Sequence, residues 1–423
     1  MSEHHSKKRA ARALRASLAA LLLAALAPLL LTAAIIAYVG LRYRNPPRTP
    51  LSHLPYTDRV PGVKTMFEVM ESLRAIPFKS QLPKTVAAVA LAVADLVPVL
   101  LDTVRATAGA IYPYPEPFEP VMIQSPDNTP ICGLQAMQRG PGPAVIFVHG
   151  LFENKNTRSV QAMALRAFFS WGFHVFVVDL RNFGDSSRFS DAPMSWGFRE
   201  SDDVLAVARY LCSLEQVSTV GACGISMGAA SVLLAAGRSR LDEPLGGGVI
   251  ALNGYADAAR AVEHISTLPG FSIERFTTWL AFRFLLLLKT LSGGPRPISD
   301  LRTYTREVSS QYYEISDRDL YRKASPIKAV GDIEVPCLII HSTDDQVIPV
   351  GEAEDLLAAA IDNPMVGSLI TPSGGHALYR ATSRRWFYMI LETFFSYWGE
   401  FSEGGESGQA GISSIEAFGN PDN

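Results

Sequence analysis

The sequence contains no Cys-x-x-Cys pair. Its four cysteines, at 132, 212, 223 and 337, stand singly, which excludes a paired-cysteine metal or redox site and gives no disulfide framework. Cys223 and Cys337 fall in strand-like runs, so buried free thiols are expected there. No residues have zinc or calcium ligand spacing, and there is neither a P-loop nor a Gly-x-Gly-x-x-Gly turn. No metal and no cofactor is therefore expected. Neither sign of charge dominates: 38 Lys and Arg face 41 Asp and Glu, a net charge of −3, which removes nucleic acid as a partner. No internal repeat or interaction motif points to a protein partner.

Charge is also missing from one long stretch. Leu18 to Gly40 has no charged residue and is nearly all Ala, Leu, Ile and Val. It exceeds the roughly 20 residues that cross a bilayer core, and Pro28 in its middle is tolerated in a membrane helix. No Ala-x-Ala cleavage site ends it, so an uncleaved single-pass signal anchor is predicted over 18–40 rather than a removed leader. Lys7, Lys8, Arg9, Arg12 and Arg15 precede it, and Arg42, Arg44 and Arg48 follow. That basic excess predicts a cytoplasmic tail over 1–17 and a main body on the extracytoplasmic side.

Residues 41–111 then read as a linker and an N-terminal helical region. Asn45 to Pro61 is rich in proline and polar residues, and Met66 to Ala110 has a helical pattern. Val86 to Leu101 within it is apolar but interrupted by Asp95 and Pro98, which predicts a helix packed on the body or lying on the bilayer. The prolines of Tyr112-Pro113-Tyr114-Pro115-Glu116-Pro117 rule out regular helix and mark where the main domain, 112–400, begins. From about residue 401 the chain is rich in Gly, Ser and Glu, the composition of a disordered tail.

With 48% apolar residues the chain can build a sizeable core. Its most informative stretch is Gly224-Ile225-Ser226-Met227-Gly228. An apolar, β-branched run, Val217 to Cys223, precedes it, and a helix-like run, Ala229 to Ala236, follows. A serine at a sharp strand-to-helix turn has its hydroxyl pushed clear of the sheet, and Gly224 and Gly228 allow the tight turn. A serine nucleophile needs a base, and the base needs an anion to hold it. Asp345 follows the strand-like run Val335 to Ile340, and His376 follows Val366 to Ile370. Both therefore sit on loops at the C-terminal ends of strands, the edge where open α/β sheets bind ligands. Ala144 to Val148 is a further buried-strand run, followed by His149-Gly150-Leu151.

In these motifs, and in the order Ser, Asp, His, the stretch from about Met122 to Trp398 resembles the α/β-hydrolases. The resemblance implies a mostly parallel eight-stranded sheet flanked by helices. It also implies that the backbone N–H groups of Leu151 and Met227 form the oxyanion hole, with His149 bracing its loop. Between the adjacent Asp344 and Asp345, the family pattern sets the acid four residues before the proline, here Pro349, and so selects Asp345. Asp179-Leu180-Arg181-Asn182-Phe183-Gly184-Asp185-Ser186 is close to the Asp-x-Arg-Gly-x-Gly-x-Ser loop of the superfamily. Asn182 stands where glycine is usual, and asparagine tolerates a left-handed backbone. His174 and His264 are read as ordinary rather than catalytic.

About 80 residues separate the sixth strand, Gly246 to Asn253, from the seventh at Val335, too many for a simple βα connection. In this family that is where a helical cap is inserted, here about 254–330. Phe276 to Leu291, with Trp279, Phe282 and Leu285 to Leu288, would be its apolar helix, and Asp300 to Ala324 its solvent-facing part. The expected activity is that of a serine hydrolase cleaving small carboxylic esters, apolar or lipid-like, through a covalent acyl-enzyme. The same triad serves acyl transfer, thioesters or peptides, and a binding protein that has kept the fold would carry it idle.

Overall fold

A computed structural model describes residues 65–80, 114–240, 244–267, 279–280, 282–287, 289–290 and 297–399. The anchor predicted over 18–40, the apolar segment 86–101 and the tail from 401 lie outside them. Among the described residues no helix is long and apolar enough to cross a membrane.

Eight strands form one sheet: β1 (Glu119–Gln124), β2 (Pro130–Ala136), β3 (Gly142–Val148), β4 (His174–Val178), β5 (Val217–Ile225), β6 (Val249–Leu252), β7 (Cys337–Ser342) and β8 (Val366–Thr371). Their order is β1-β2-β4-β3-β5-β6-β7-β8. β2 pairs antiparallel with both of its neighbours, and all other pairs are parallel. Strands β3, β4, β6, β7 and β8 are buried on both faces, which is why they read as continuous apolar runs.

The two-residue period of the strands divides their side chains between two cores. Ile146, Val148, Phe176, Val178 and Ala222 face helices α3 (Glu200–Cys212) and α4 (Met227–Ala236). Val145, Phe147, Val175, Val177 and Cys223 face α2 (Arg158–Phe169) and α7 (Arg384–Trp398). α4 is buried almost all round, and its run of Ala, Val, Leu and Gly suits that position. α5 (Ala258–Ser266) opens the insertion after β6, and α6 (Val350–Ala359) links β7 to β8.

Of the helical region predicted over Met66 to Ala110, only residues up to 80 are described. α1 (Met66–Ala75) starts with a capping box between Thr65 and Glu68 and stops at Ile76, which is extended. Pro77 explains the stop, because the residue before a proline is pushed out of the helical region. α1 buries Met66, Val69, Met70 and Leu73 and packs on β8 and α7. The sixth strand is shorter than read: Gly248 takes φ +88° ahead of it and Asn253 φ +50° after it, so only four residues are extended.

The insertion between β6 and β7 is helical where it is described. Residues 279–280, 282–287 and 289–290 are helical, and Leu286 is fully buried in the core beneath. The later part is not simply solvent-facing. Arg302, Arg306, Arg318 and Arg322 are exposed, but Leu301, Tyr304, Thr305, Ser309 and Leu320 are buried. Trp196 Nε1 donates to Thr305 Oγ1 at 2.9 Å and Ser309 Oγ to the Met194 carbonyl at 2.7 Å. The charged residues form one side of a two-sided layer whose other side docks on the body.

Candidate active site

Ser226 sits between the end of β5 and the first residue of α4, with φ +55° and ψ −115°. A non-glycine residue there is strained, and such strain persists where the surroundings enforce it. Here the enforcement is steric. A Cβ on Gly224 would stand 2.2 Å from the Gly228 carbonyl oxygen, and a Cβ on Gly228 would stand 2.5 Å from that of His149 and 2.7 Å from that of Val148. The turn therefore closes only with glycine on both sides. Within a buried stretch, Ser226 alone is partly exposed. Its N–H donates to the Leu252 carbonyl at 2.9 Å, which ties the turn to the end of β6.

Asp345 and His376 come from the loops after β7 and β8, which lie beyond β6 in the sheet. Asp345 follows β7 and is buried, while His376 follows β8 and keeps about a fifth of its side chain exposed. Asp345 Oδ2 lies 2.8 Å from His376 Nδ1. Asp345 Oδ1 accepts the backbone N–H groups of Val347 at 2.8 Å and Ile348 at 3.0 Å. Burial alone would push the carboxyl pKa up, but the facing imidazole and these donors hold it below the ordinary carboxylate value. Burial likewise opposes a charge on His376, yet Asp345, with a further contribution from Glu153, raises its pKa. The adjacent Asp344 goes elsewhere: its Oδ1 accepts the Gly375 N–H at 2.7 Å.

The loop after β3 lies against the serine. A Cβ on Gly150 would be 3.3 Å from Ser226 Cβ and 3.1 Å from Glu153 Oε2. The Gly150 N–H is already taken by Glu153 Oε2 at 2.7 Å. Met227 opens α4, so its N–H has no carbonyl partner within its own helix. His149 is fully buried. Its Nε2 accepts the Leu180 N–H at 3.1 Å, so Nδ1 carries the proton and donates to the Gly150 carbonyl at 2.8 Å. Burial lowers its pKa to about 4, which keeps this link between the β3 and β4 loops neutral.

The β4 loop is held by two buried ion-pair sets. Lys155 Nζ binds Asp179 Oδ2 and, at 2.8 Å, Asp185 Oδ2. Arg181 donates through Nε to Asp203 at 2.9 Å, through Nη1 to Asp127 at 2.7 Å, and reaches Tyr313 Oη of the insertion at 3.4 Å. Asn182 takes φ +67°, the left-handed backbone expected of it. Lys289 of the insertion donates to the Asn182 carbonyl and lies 4.3 Å over the Phe183 ring. Phe152, next to Leu151, meets Phe282 of the insertion edge-on, with ring centroids 5.8 Å apart.

Other predicted residues have structural settings. His174 is buried, accepting the Gln138 N–H on Nδ1 at 2.9 Å with Nε2 on the Gln216 carbonyl. His264 lies 3.3 Å from the Gln346 carbonyl. All four cysteines are free, and Cys212 is the exposed one. Three residues near the site carry no sequence signal: Asn253, Glu153 and His341. Asn253 Nδ2 donates to Asp345 Oδ2 at 2.7 Å. His341, buried on β7, has Nε2 2.9 Å from the Ile348 carbonyl and 3.6 Å from Asp345 Oδ2. Among the described residues no group of three or more His, Cys, Asp and Glu could hold a metal ion.

The strand order, the turn after β5 and the loops after β7 and β8 that bring Asp345 and His376 together define a class. Residues 145–387 match the sequence model of the alpha/beta hydrolase family, and the chain belongs to that family. Over 260 residues it is 26% identical to the uncharacterized protein YqkD of Bacillus subtilis (strain 168), a match covering 61% of this chain and 73% of the other. An esterase of Pyrococcus furiosus superimposes with a TM-score of 0.50 at 14% identity, over 69% of this chain and 98% of the esterase. An acylaminoacyl peptidase of Pyrococcus horikoshii gives 0.46 at 20% identity, over 68% of this chain and 43% of its own. At these identities the structural likeness is one of fold.

Proposed function

We propose that the protein is a serine hydrolase that cleaves carboxylic esters through Ser226, His376 and Asp345. The observation that carries this reading is the 2.8 Å contact between His376 Nδ1 and buried Asp345, made on loops beside the strained turn that presents Ser226. With Nδ1–H committed to Asp345, Nε2 is left as the base. His376 takes the Ser226 hydroxyl proton as Oγ attacks the ester carbonyl. The Leu151 and Met227 N–H groups receive the developing oxyanion, and each such donor accounts for roughly 10²–10³ in rate. The alcohol leaves with the proton from His376, and water activated by the same imidazole releases the acid.

The apolar insertion beside Phe152 favours a substrate with an apolar acyl part. The uncharged segment 18–40 would anchor the enzyme in a membrane, with the hydrolase domain on the extracytoplasmic side. The test is labelling of full-length protein by a fluorophosphonate, wild type against Ser226→Ala, followed by esters of graded chain length. Labelling that disappears in the variant supports the reading. Folded wild-type protein that never labels overturns it and favours a binding role.

A further inference from the structure

Asn253 stands at the end of β6, between the serine turn and the acid loop. It is fully buried and held at φ +50°. Its Nδ2 donates to Asp345 Oδ2 at 2.7 Å and to the Gly375 carbonyl at 3.1 Å. Both partners are acceptors there, so the orientation of the amide is fixed: nitrogen towards the site, oxygen away. That oxygen is buried and, among the described residues, has no partner. Asparagine tolerates a left-handed backbone, but a buried oxygen left unpaired is destabilising. A residue needed only to end a strand has no reason to carry it.

We propose that Asn253 is a positioning residue of the acid–base pair, locking Asp345 to the loop that carries His376. The proposal rests on the hydrolase reading above. Gly375 immediately precedes His376, and its peptide is clamped from three sides. Asp344 accepts its N–H, while Ser342 Oγ, at 2.7 Å, and Asn253 donate to its carbonyl. Asn253 Nδ2 ties this peptide directly to the Asp345 carboxylate. It also takes one of the lone-pair directions of Asp345 Oδ2, the oxygen that faces His376. Removing that donor concentrates charge on the oxygen and favours the protonated imidazole. The other groups facing His376 are Glu153 from the β3 loop and, behind Asp345, buried His341, whose pKa burial lowers.

The test is the pH dependence of the second-order rate of fluorophosphonate labelling of the full chain. Asn253→Gly suits the backbone and removes the amide. Its rate on the plateau is expected to fall on the order of 10²-fold, as for a displaced reacting group, with the acid limb moved to higher pH. Asn253→Asp keeps the shape and places a second carboxyl against Asp345. It is expected to add an ionisation step, the loss of a shared proton, that wild type lacks. An Asn253→Gly profile matching wild type, or lowered equally at every pH with its limb unmoved, overturns the proposal. If that variant does not fold, an Asn253→Asp profile that superimposes on wild type does so. Absent labelling of wild type, or equal labelling of Ser226→Ala, instead sinks the hydrolase reading itself.

Discussion

Asp345→Asn changes one atom and should nearly silence the enzyme. Every neighbour of the Asp345 carboxylate is a donor: Val347 and Ile348 N–H on Oδ1, His376 Nδ1 and Asn253 Nδ2 on Oδ2. An amide offers one accepting oxygen and one donating nitrogen. Its oxygen will stay with the two backbone N–H groups, which cannot rotate. The new NH2 then faces His376, which responds by moving its own proton to Nε2 so that Nδ1 accepts. In that tautomer Nε2 cannot take the proton of Ser226. The expected loss is roughly 10⁴-fold in rate, about 5 kcal/mol of barrier. The fold should tolerate the change, losing no more than about 1.5–3 kcal/mol from weakened charge-assisted hydrogen bonds. Asp344→Asn is the internal control. Its contact is with the Gly375 N–H, which an amide oxygen accepts as well, so the rate should stay within roughly tenfold. Ester hydrolysis and fluorophosphonate labelling, read beside thermal unfolding, measure all of this. An Asp345→Asn enzyme within tenfold of wild type, or a larger loss in Asp344→Asn, would refute the tautomer argument.

Three further outcomes are expected. Because Asp345 and Glu153 raise the His376 pKa, the base is lost as pH falls through a value above the usual imidazole figure of about 6.5; Glu153→Gln should move that acid limb of the labelling rate to lower pH, and an unmoved limb would count against Glu153. Gly228→Ala places a Cβ against the backbone oxygens of His149 and Val148, an overpacking of about 1–3 kcal/mol or more that should appear as a lowered midpoint in thermal unfolding. Lys155→Met leaves Asp179 and Asp185 facing each other without their cation, which should cost about 3–5 kcal/mol in denaturant unfolding.

The features legible in the sequence are those where one residue type alone satisfies the backbone. Gly224 and Gly228 bracket the serine because any Cβ there meets a carbonyl oxygen, so the turn prints itself as a pattern. The apolar runs of β3, β4, β7 and β8 are equally plain, since both of their faces are covered. Other features depend on residues distant in the chain. Asn253 looks like any polar residue ending a strand, and Glu153 like any loop acid. Their partners lie on loops whose approach no local pattern records. The second half of the insertion reads as exposed because its arginines are conspicuous. The buried face of that layer mixes Leu301 and Leu320 with Tyr304, Thr305 and Ser309, and Thr305 and Ser309 meet Trp196 and Met194 from a distant part of the chain. Asp344 and Asp345 are chemically identical neighbours, and it is the direction in which the loop turns that sends one to Gly375 and the other to His376.

The docking of α1 also bears on how the chain comes off the ribosome. Glu68 meets Tyr397 Oη at 2.7 Å across 329 residues of sequence, and the α1 groove is built from β8 and α7, which are made long after it. At about 5–20 residues per second, α1 waits on the order of 15–65 s for the surface that shelters Met66, Val69, Met70 and Leu73. The capping box at Thr65 can stabilise the helix during that interval without help from the rest of the chain. The domain therefore closes only once α7 has been made, when its first described helix is finally met by its last.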